Sequence, residues 1–200
     1  MLFKKNRTEN RFLIVGLGNP GKTYQLSRHN IGFQAIEYLS NVYNIRISRS
    51  RFSSLTGEGR IGDAGVTLIK PMTYMNLSGQ AVEAAAKYYN IPVERIIVLC
   101  DDVSLDVGVI RIREQGSSGG QKGLLSIEEM LDSQHFKRIR IGIGDPKGVE
   151  LKDYVLSSPT SLERKKIEER FEDVSKAVEM IVLGDLAGAQ SRYNGTGDRT

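Results

Sequence analysis

The chain has 200 residues, 40% of them apolar and 26% charged, enough to bury one core and too short for two ordinary domains. Its one cysteine excludes an internal disulfide and a cysteine-rich zinc module, and points to a reducing compartment. No apolar run approaches the roughly 20 residues that cross a bilayer, and the basic start MLFKKNRTENRF lacks the apolar stretch of a secretory signal. The simplest expectation is a soluble cytoplasmic protein with no membrane partner. The net charge of +4 is modest, so a polyanionic partner depends on where the cations lie.

Residues 12–17, FLIVGL, are a short apolar run ending in glycines, the pattern of a fully buried strand. Ile31, Ala35, Leu39 and Val42 then recur at helical spacing over 30–43. Residues 52–60 and 65–70 flank a Gly-Asp-Ala-Gly turn and read as a hairpin. The segment 78–89 is an Ala-rich helix with Ser78 as its expected N-cap and Asn90 and Pro92 at its end. Strands are expected at 95–100, 107–113 and 137–143, with a glycine-rich loop at 115–123 and a helix over about 124–132 between the last two. Residues 145–160, with two prolines, a glycine and two serines, read as loop with a little strand. A charged amphipathic helix is expected over 161–182, followed by a shorter one to about 191.

Strands alternating with helices, plus one hairpin, predict a single α/β domain: a twisted mixed sheet flanked by helices. Its expected extent is 12–192, after a basic extension at 1–11 and before a frayed tail at 193–200. Ligands of such sheets gather beyond the carboxyl ends of the strands, so those positions carry the chemistry.

The first strand ends in Gly16-Leu17-Gly18-Asn19-Pro20-Gly21, a literal G-x-G-x-x-G. A dinucleotide site needs a helix to begin at those glycines, and here the helical pattern starts about eight residues later. Gly116-Ser117-Ser118-Gly119-Gly120 fits G-x-S-x-G, but His135 follows too closely for the Ser-acid-His order of that hydrolase fold. Asp101, Asp102 and Asp106 offer too few oxygens at a guaranteed spacing for a hard cation. His135 sits among charged surface residues. His29 stands in a polar cluster, Ser27-Arg28-His29-Asn30, with Asn30 as the expected cap of the next helix. Asn76 has a structural role open to it as a helix cap and a functional one as an amide donor. Asn19, His29, Asn76 and Asp101 come from three different strand ends. Without a nucleophile or metal cluster, they suggest water activated by a general base and a carbonyl held by amides, which suits an activated ester. Arg111 and Arg113, like Arg138 and Arg140, alternate and would share a strand face.

At these residues the chain resembles the bacterial-type peptidyl-tRNA hydrolase family over about 12–192. The resemblance rests on IVGLGNPG (14–21), on Tyr24-x-x-Ser-Arg-His-Asn-x-Gly (24–32), on KPMTYMNLSG (70–79), on the strand into Asp101 and on RIRIGIG (138–144). It implies hydrolysis of the ester between a peptide and the 3′ end of tRNA, by a monomer needing no metal or cofactor, with a C-terminal helix over the site. It further implies His29 as base with Asp101 as partner, and Asn19 and Asn76 beside the substrate carbonyl. Tyr24 and Met75 would line the groove for the CCA end, and Arg113 and Arg140 would clamp the 5′ phosphate. The family's Gly-Gly-His-Asn-Gly loop is replaced by Gly119-Gly120-Gln121-Lys122-Gly123. Lys122 cannot accept a hydrogen bond as asparagine does, but it can donate to a phosphate. Hydrolysis is therefore expected to survive with altered tRNA affinity or rate. The alternatives are a non-hydrolytic RNA-binding member of the fold, which Lys122 leaves open, and a small-molecule esterase, which would not need the arginine pairs.

Overall fold

The computed structural model describes residues 10–195. Seven strands form one sheet: β1 (Arg11–Gly16), β2 (Arg49–Arg51), β3 (Ser54–Ile61), β4 (Ala64–Pro71), β5 (Ile96–Asp102), β6 (Ile110–Arg113) and β7 (Lys137–Gly142), in the order β2-β3-β4-β1-β5-β7-β6. Strand β1 lies parallel to both β4 and β5, and β5 to β7, whereas β2, β3 and β6 pair antiparallel. The carboxyl ends of β1, β4, β5 and β7 therefore meet along one edge.

Alternation along β1 separates the two cores. Phe12 and Ile14 face helices α1 (Ile31–Val42) and α6 (Phe171–Val182). Leu13 and Val15 face helices α2 (Ser78–Tyr89) and α3 (Lys122–Leu131). Strands buried on both faces read as continuous apolar runs, which is why FLIVGL and RIIVLC were legible. Helix α1 lies tight against the centre of the sheet. A Cβ on Gly32 would overlap the Leu99 carbonyl oxygen and the Leu17 backbone, so only glycine fits two residues after Asn30.

Several expectations are corrected. Ser78 begins α2 rather than capping it: the cap position is Leu77, and no side chain bonds there. Asn90 does end that helix in a left-handed conformation, φ 52°. Helix α3 starts two residues early because Gln121 caps it. The segment 145–160 contains a short helix, α4 (Leu151–Leu156), between the Pro146–Gly148 turn and Ser157-Ser158-Pro159. Its six residues are too few for a periodic signal. The expected helix at 161–182 is two, α5 (Ser161–Glu168) and α6, with a bend that no glycine or proline announces. The bend lays α6 on α1, where the Tyr38 and Phe171 rings lie 6.1 Å apart. Helix α7 (Leu186–Tyr193) ends against β6: Tyr193 is buried, and the Ile112 N–H donates to Asn194 Oδ1 at 2.6 Å, while the expected frayed tail from residue 196 on lies outside the described residues. The expected extension at 1–11 lies outside the described residues up to residue 9, and Arg11 already belongs to β1. No described helix is long and apolar enough to cross a membrane.

Candidate active site

A cavity of about 590 Å³ opens where the parallel strands end, lined among others by Asn19, Tyr24, His29, Met75, Asn76 and Asp101. Six sequence-predicted residues from three strand ends thus converge on one space. The helix over it is α4, through Leu151, Lys152, Val155 and Leu156. The C-terminal helix expected there packs elsewhere: α6 covers α1 and α7 reaches β6.

His29 and Asp101 are 8% and 3% exposed, and His29 Nδ1 lies 2.8 Å from Asp101 Oδ2. A carboxylate can only accept, so Nδ1 carries the proton and Nε2 holds the free lone pair. That tautomer is the one a general base needs. The second carboxylate oxygen, Oδ1, accepts a hydrogen bond from Gln121 Nε2 at 2.9 Å.

Asn19 is fixed by what surrounds it. Its Oδ1 accepts from the Met75 N–H at 2.8 Å, which can only donate, so the amide orientation is determined and Nδ2 is left as a donor. Its backbone is bracketed by Asn30, whose Oδ1 accepts from the Asn19 N–H at 2.8 Å and whose Nδ2 donates to the Asn19 carbonyl at 2.9 Å. Asn30 occupies the cap position of α1, but its side chain makes no capping bond. Asn76 does not cap α2 either; it is exposed and lines the cavity as an available amide. Met75 is buried and touches Gln121, whereas Tyr24 is partly exposed at the cavity wall and Tyr74 lies open beside it.

The arginine pairs share one face. Arg111 stands opposite Arg140 and Arg113 opposite Arg138 in the antiparallel β6–β7 pair, so all four side chains emerge from the same side. Their environments differ. Arg138 is 1% exposed and donates to the carbonyls of Gly116, Ser117, Gln134 and Phe136; burial lowers its pKa and raises that of its neighbour Glu128. Arg140 donates to Asp102 at 3.1 Å and to the carbonyls of Ser117 and Ser118 at 2.8 and 3.1 Å. It is largely spent on the glycine-rich loop. Burial alone would raise Asp102, but hydrogen bonds from Ser104 and Arg140 outweigh it and hold the carboxyl below its usual range. Arg111 and Arg113 are exposed, and no described residue pairs with either. Lys122 opens α3, exposed at the cavity rim.

Three residues escaped the sequence reading in their actual roles. Asn30 looked like a cap and is a bracket. Gln121 stood beside a more conspicuous lysine. Arg28 carried no assignment, yet it donates to Ser157 Oγ at 2.7 Å, the Ser158 carbonyl at 2.8 Å and Glu163 at 2.8 Å, and stacks 4.4 Å from the Tyr154 ring centroid. It ties α4 and α5 to the segment bearing His29. The signal was the Ser27-Arg28-His29-Asn30 run itself; the partners lie about 130 residues away, which no local pattern could show.

The other motifs stay outside the chemistry. Ser118 is buried with its carbonyl bound to Arg140, and His135 is exposed. Cys100 is wholly buried, and burial pushes its thiol far up, so it is no nucleophile. Among the described residues no three His, Cys, Asp or Glu side chains gather as metal ligands.

The model of the peptidyl-tRNA hydrolase family matches residues 13–200. Two curated relatives with that name, from Clostridium botulinum (strain Alaska E43 / Type E3) and Clostridium acetobutylicum, are 48% and 49% identical over 184 residues. The matches span 92% of this chain and 96% and 98% of theirs. The crystal structure of peptidyl-tRNA hydrolase from Acinetobacter baumannii superposes with a TM-score of 0.89 at 37% identity, covering 94% of this chain and 96% of that one.

Proposed function

Because the chain belongs to the peptidyl-tRNA hydrolase family, ester hydrolases acting on peptidyl-tRNA, we propose that His29 and Asp101 activate the water that cleaves the ester between peptide and tRNA. The observation that carries this is the 2.8 Å bond from His29 Nδ1 to a buried carboxylate. It leaves Nε2 to take a proton from water as the oxygen attacks the ester carbonyl. The Asp101 carboxylate stabilises the imidazolium that forms. Asn19 Nδ2 and the Asn76 amide donate to the carbonyl oxygen as it gains charge. Collapse breaks the bond to the 3′ ribose oxygen, which leaves with the proton held on His29. The products are a peptide carboxylate and intact tRNA. The leaving alcohol needs no further activation, which suits a site with one base.

The CCA end lies in the cavity against Tyr24 and Met75, under α4. Arg113 faces the 5′ phosphate region, with Arg140 on the same sheet face opposite Arg111 and Lys122 at the cavity rim. Phosphate contacts of this kind position RNA without reading its sequence. The active unit is one domain over about residues 11–194, acting as a monomer in the cytoplasm without metal or cofactor. Hydrolysis rather than binding alone is favoured because His29, Asp101, Asn19 and Asn76 all line one cavity.

The test is release of peptide from an N-blocked aminoacyl-tRNA in EDTA, with His29→Ala alongside. The parent should hydrolyse and the variant should lose roughly 10²–10⁴ in rate. Salt-sensitive tRNA binding without hydrolysis by the parent would defeat the catalytic reading. Equal rates on a 5′-dephosphorylated substrate would defeat the phosphate contact.

A further inference from the structure

We infer that Gln121 is a positioning residue for the catalytic pair, joining Asp101 to the first turn of α3. The inference rests on the reading of His29 and Asp101 above. The geometry assigns both ends of the Gln121 amide. Oε1 accepts from the Leu124 N–H at 2.8 Å, a group that can only donate. Nε2 must therefore be the end that faces Asp101 Oδ1, at 2.9 Å. Asp101 is thus held on both oxygens, by His29 on Oδ2 and by Gln121 on Oδ1. A carboxylate with one free oxygen can rotate and carry the imidazole with it; one bonded on both cannot.

The bond also sets the charge that His29 feels. A donor on Oδ1 draws negative charge from the carboxylate and weakens its pull on the imidazolium. Removing the donor leaves Asp101 a stronger acceptor for the His29 Nδ1–H. The other charged groups around this cavity are Asp102 and Arg140, which pair with each other, Lys122 at the start of α3, and Lys152 on α4. The titratable phenols on its walls are Tyr24 and Tyr74. None of these hydrogen-bonds to the Asp101 carboxylate, so the effect of Gln121 is separable from them. Because an amide does not titrate, Gln121 fixes the pair without adding an ionisation of its own.

Two substitutions distinguish positioning from helix capping. Gln121→Ser keeps a side-chain oxygen that can cap the first turn of α3, is too short to reach Asp101 and adds no charge. Gln121→Met keeps the length and loses both functions. For Gln121→Ser we expect a melting temperature nearer the parent's than that of Gln121→Met, kcat at least about tenfold lower with KM changed less, and a shifted resonance of the His29 Nδ1–H proton. Gln121→Met should show the same loss of kcat and a shifted resonance together with a lower melting temperature. The resonance is read by NMR on the His29 imidazole, which needs no turnover, and kcat is read with the parent and His29→Ala in the same assay. If Gln121→Ser matches the parent in kcat and in the His29 resonance, Gln121 is a helix cap and the inference fails. If the parent shows no His29-dependent hydrolysis, the catalytic reading fails, while the resonance still reports whether Gln121 governs the pair.

Discussion

Asn30→Ala should damage both stability and catalysis, although Asn30 touches neither water nor substrate in the proposed mechanism. Its side chain is 2% exposed and makes two hydrogen bonds to the backbone of Asn19, at 2.8 and 2.9 Å. Alanine removes both and leaves an N–H and a carbonyl without partners in a buried setting. Each stranded group costs about 1–3 kcal/mol, so the loss should total about 2–6 kcal/mol. For a chain of this size that is a fall of about 4–24 °C in melting temperature. If Asn30 were only a helix cap, the loss would centre near 1 kcal/mol and the active site would be spared. The bracket reading predicts more: Asn19 loses its register with Met75, its amide donor moves, and kcat falls about tenfold or more. Asn30→Asp sharpens the test, because it keeps the acceptor for the Asn19 N–H and loses the donor to the Asn19 carbonyl. It should fall between parent and Asn30→Ala in kcat. Urea unfolding and single-turnover hydrolysis measure the two quantities. A loss under about 1 kcal/mol with an unchanged kcat would refute the reasoning.

Arg113→Glu should raise KM for peptidyl-tRNA roughly tenfold at low salt and make the salt dependence less steep by about one contact, while leaving the melting temperature in place; an unchanged slope would remove Arg113 from the RNA contact. Arg140→Ala should behave oppositely, because its guanidinium holds Ser117 and Ser118: faster hydrogen exchange in residues 115–121 should accompany any rate loss. Asp102 has a depressed folded pKa, so it contributes stability that is present above its unfolded value near 3.8 and is lost as pH falls through the lower folded value. Asp102→Asn should flatten the acid side of the stability profile in that window, by at most about 1.4 kcal/mol per pH unit. A profile parallel to the parent's below pH 4 would show that Asp102 and Arg140 do not form the pair described.

How much was legible in the sequence depended on the range of the interaction. The buried strands 12–17 and 95–100, the hairpin and the helix at 78–89 could be read because each is announced by neighbours: apolar runs, a turn, an Ala-rich pattern. The four pooled residues Asn19, His29, Asn76 and Asp101 could be collected because strand ends in a parallel sheet share one edge, which follows from alternation alone. What the sequence left open was each of those residues' partner. Asn30 read as a cap because the helix it precedes is local, whereas the Asn19 backbone it holds lies 11 residues away. Arg138 and Arg140 looked like exposed cations on a strand face, and only the folded loop at 116–118 and the Asp102 carboxylate show that both guanidiniums are already bonded. The helix over the cavity was missed because six residues give no period, and its position is set by Arg28 reaching across about 130 residues. Residue types and strand ends are written in the chain, so the sequence determined the class of fold and the chemistry available. Which oxygen of Asp101 meets His29 and which meets Gln121 depends on three segments packing to within a bond length, and only the tertiary structure decides that.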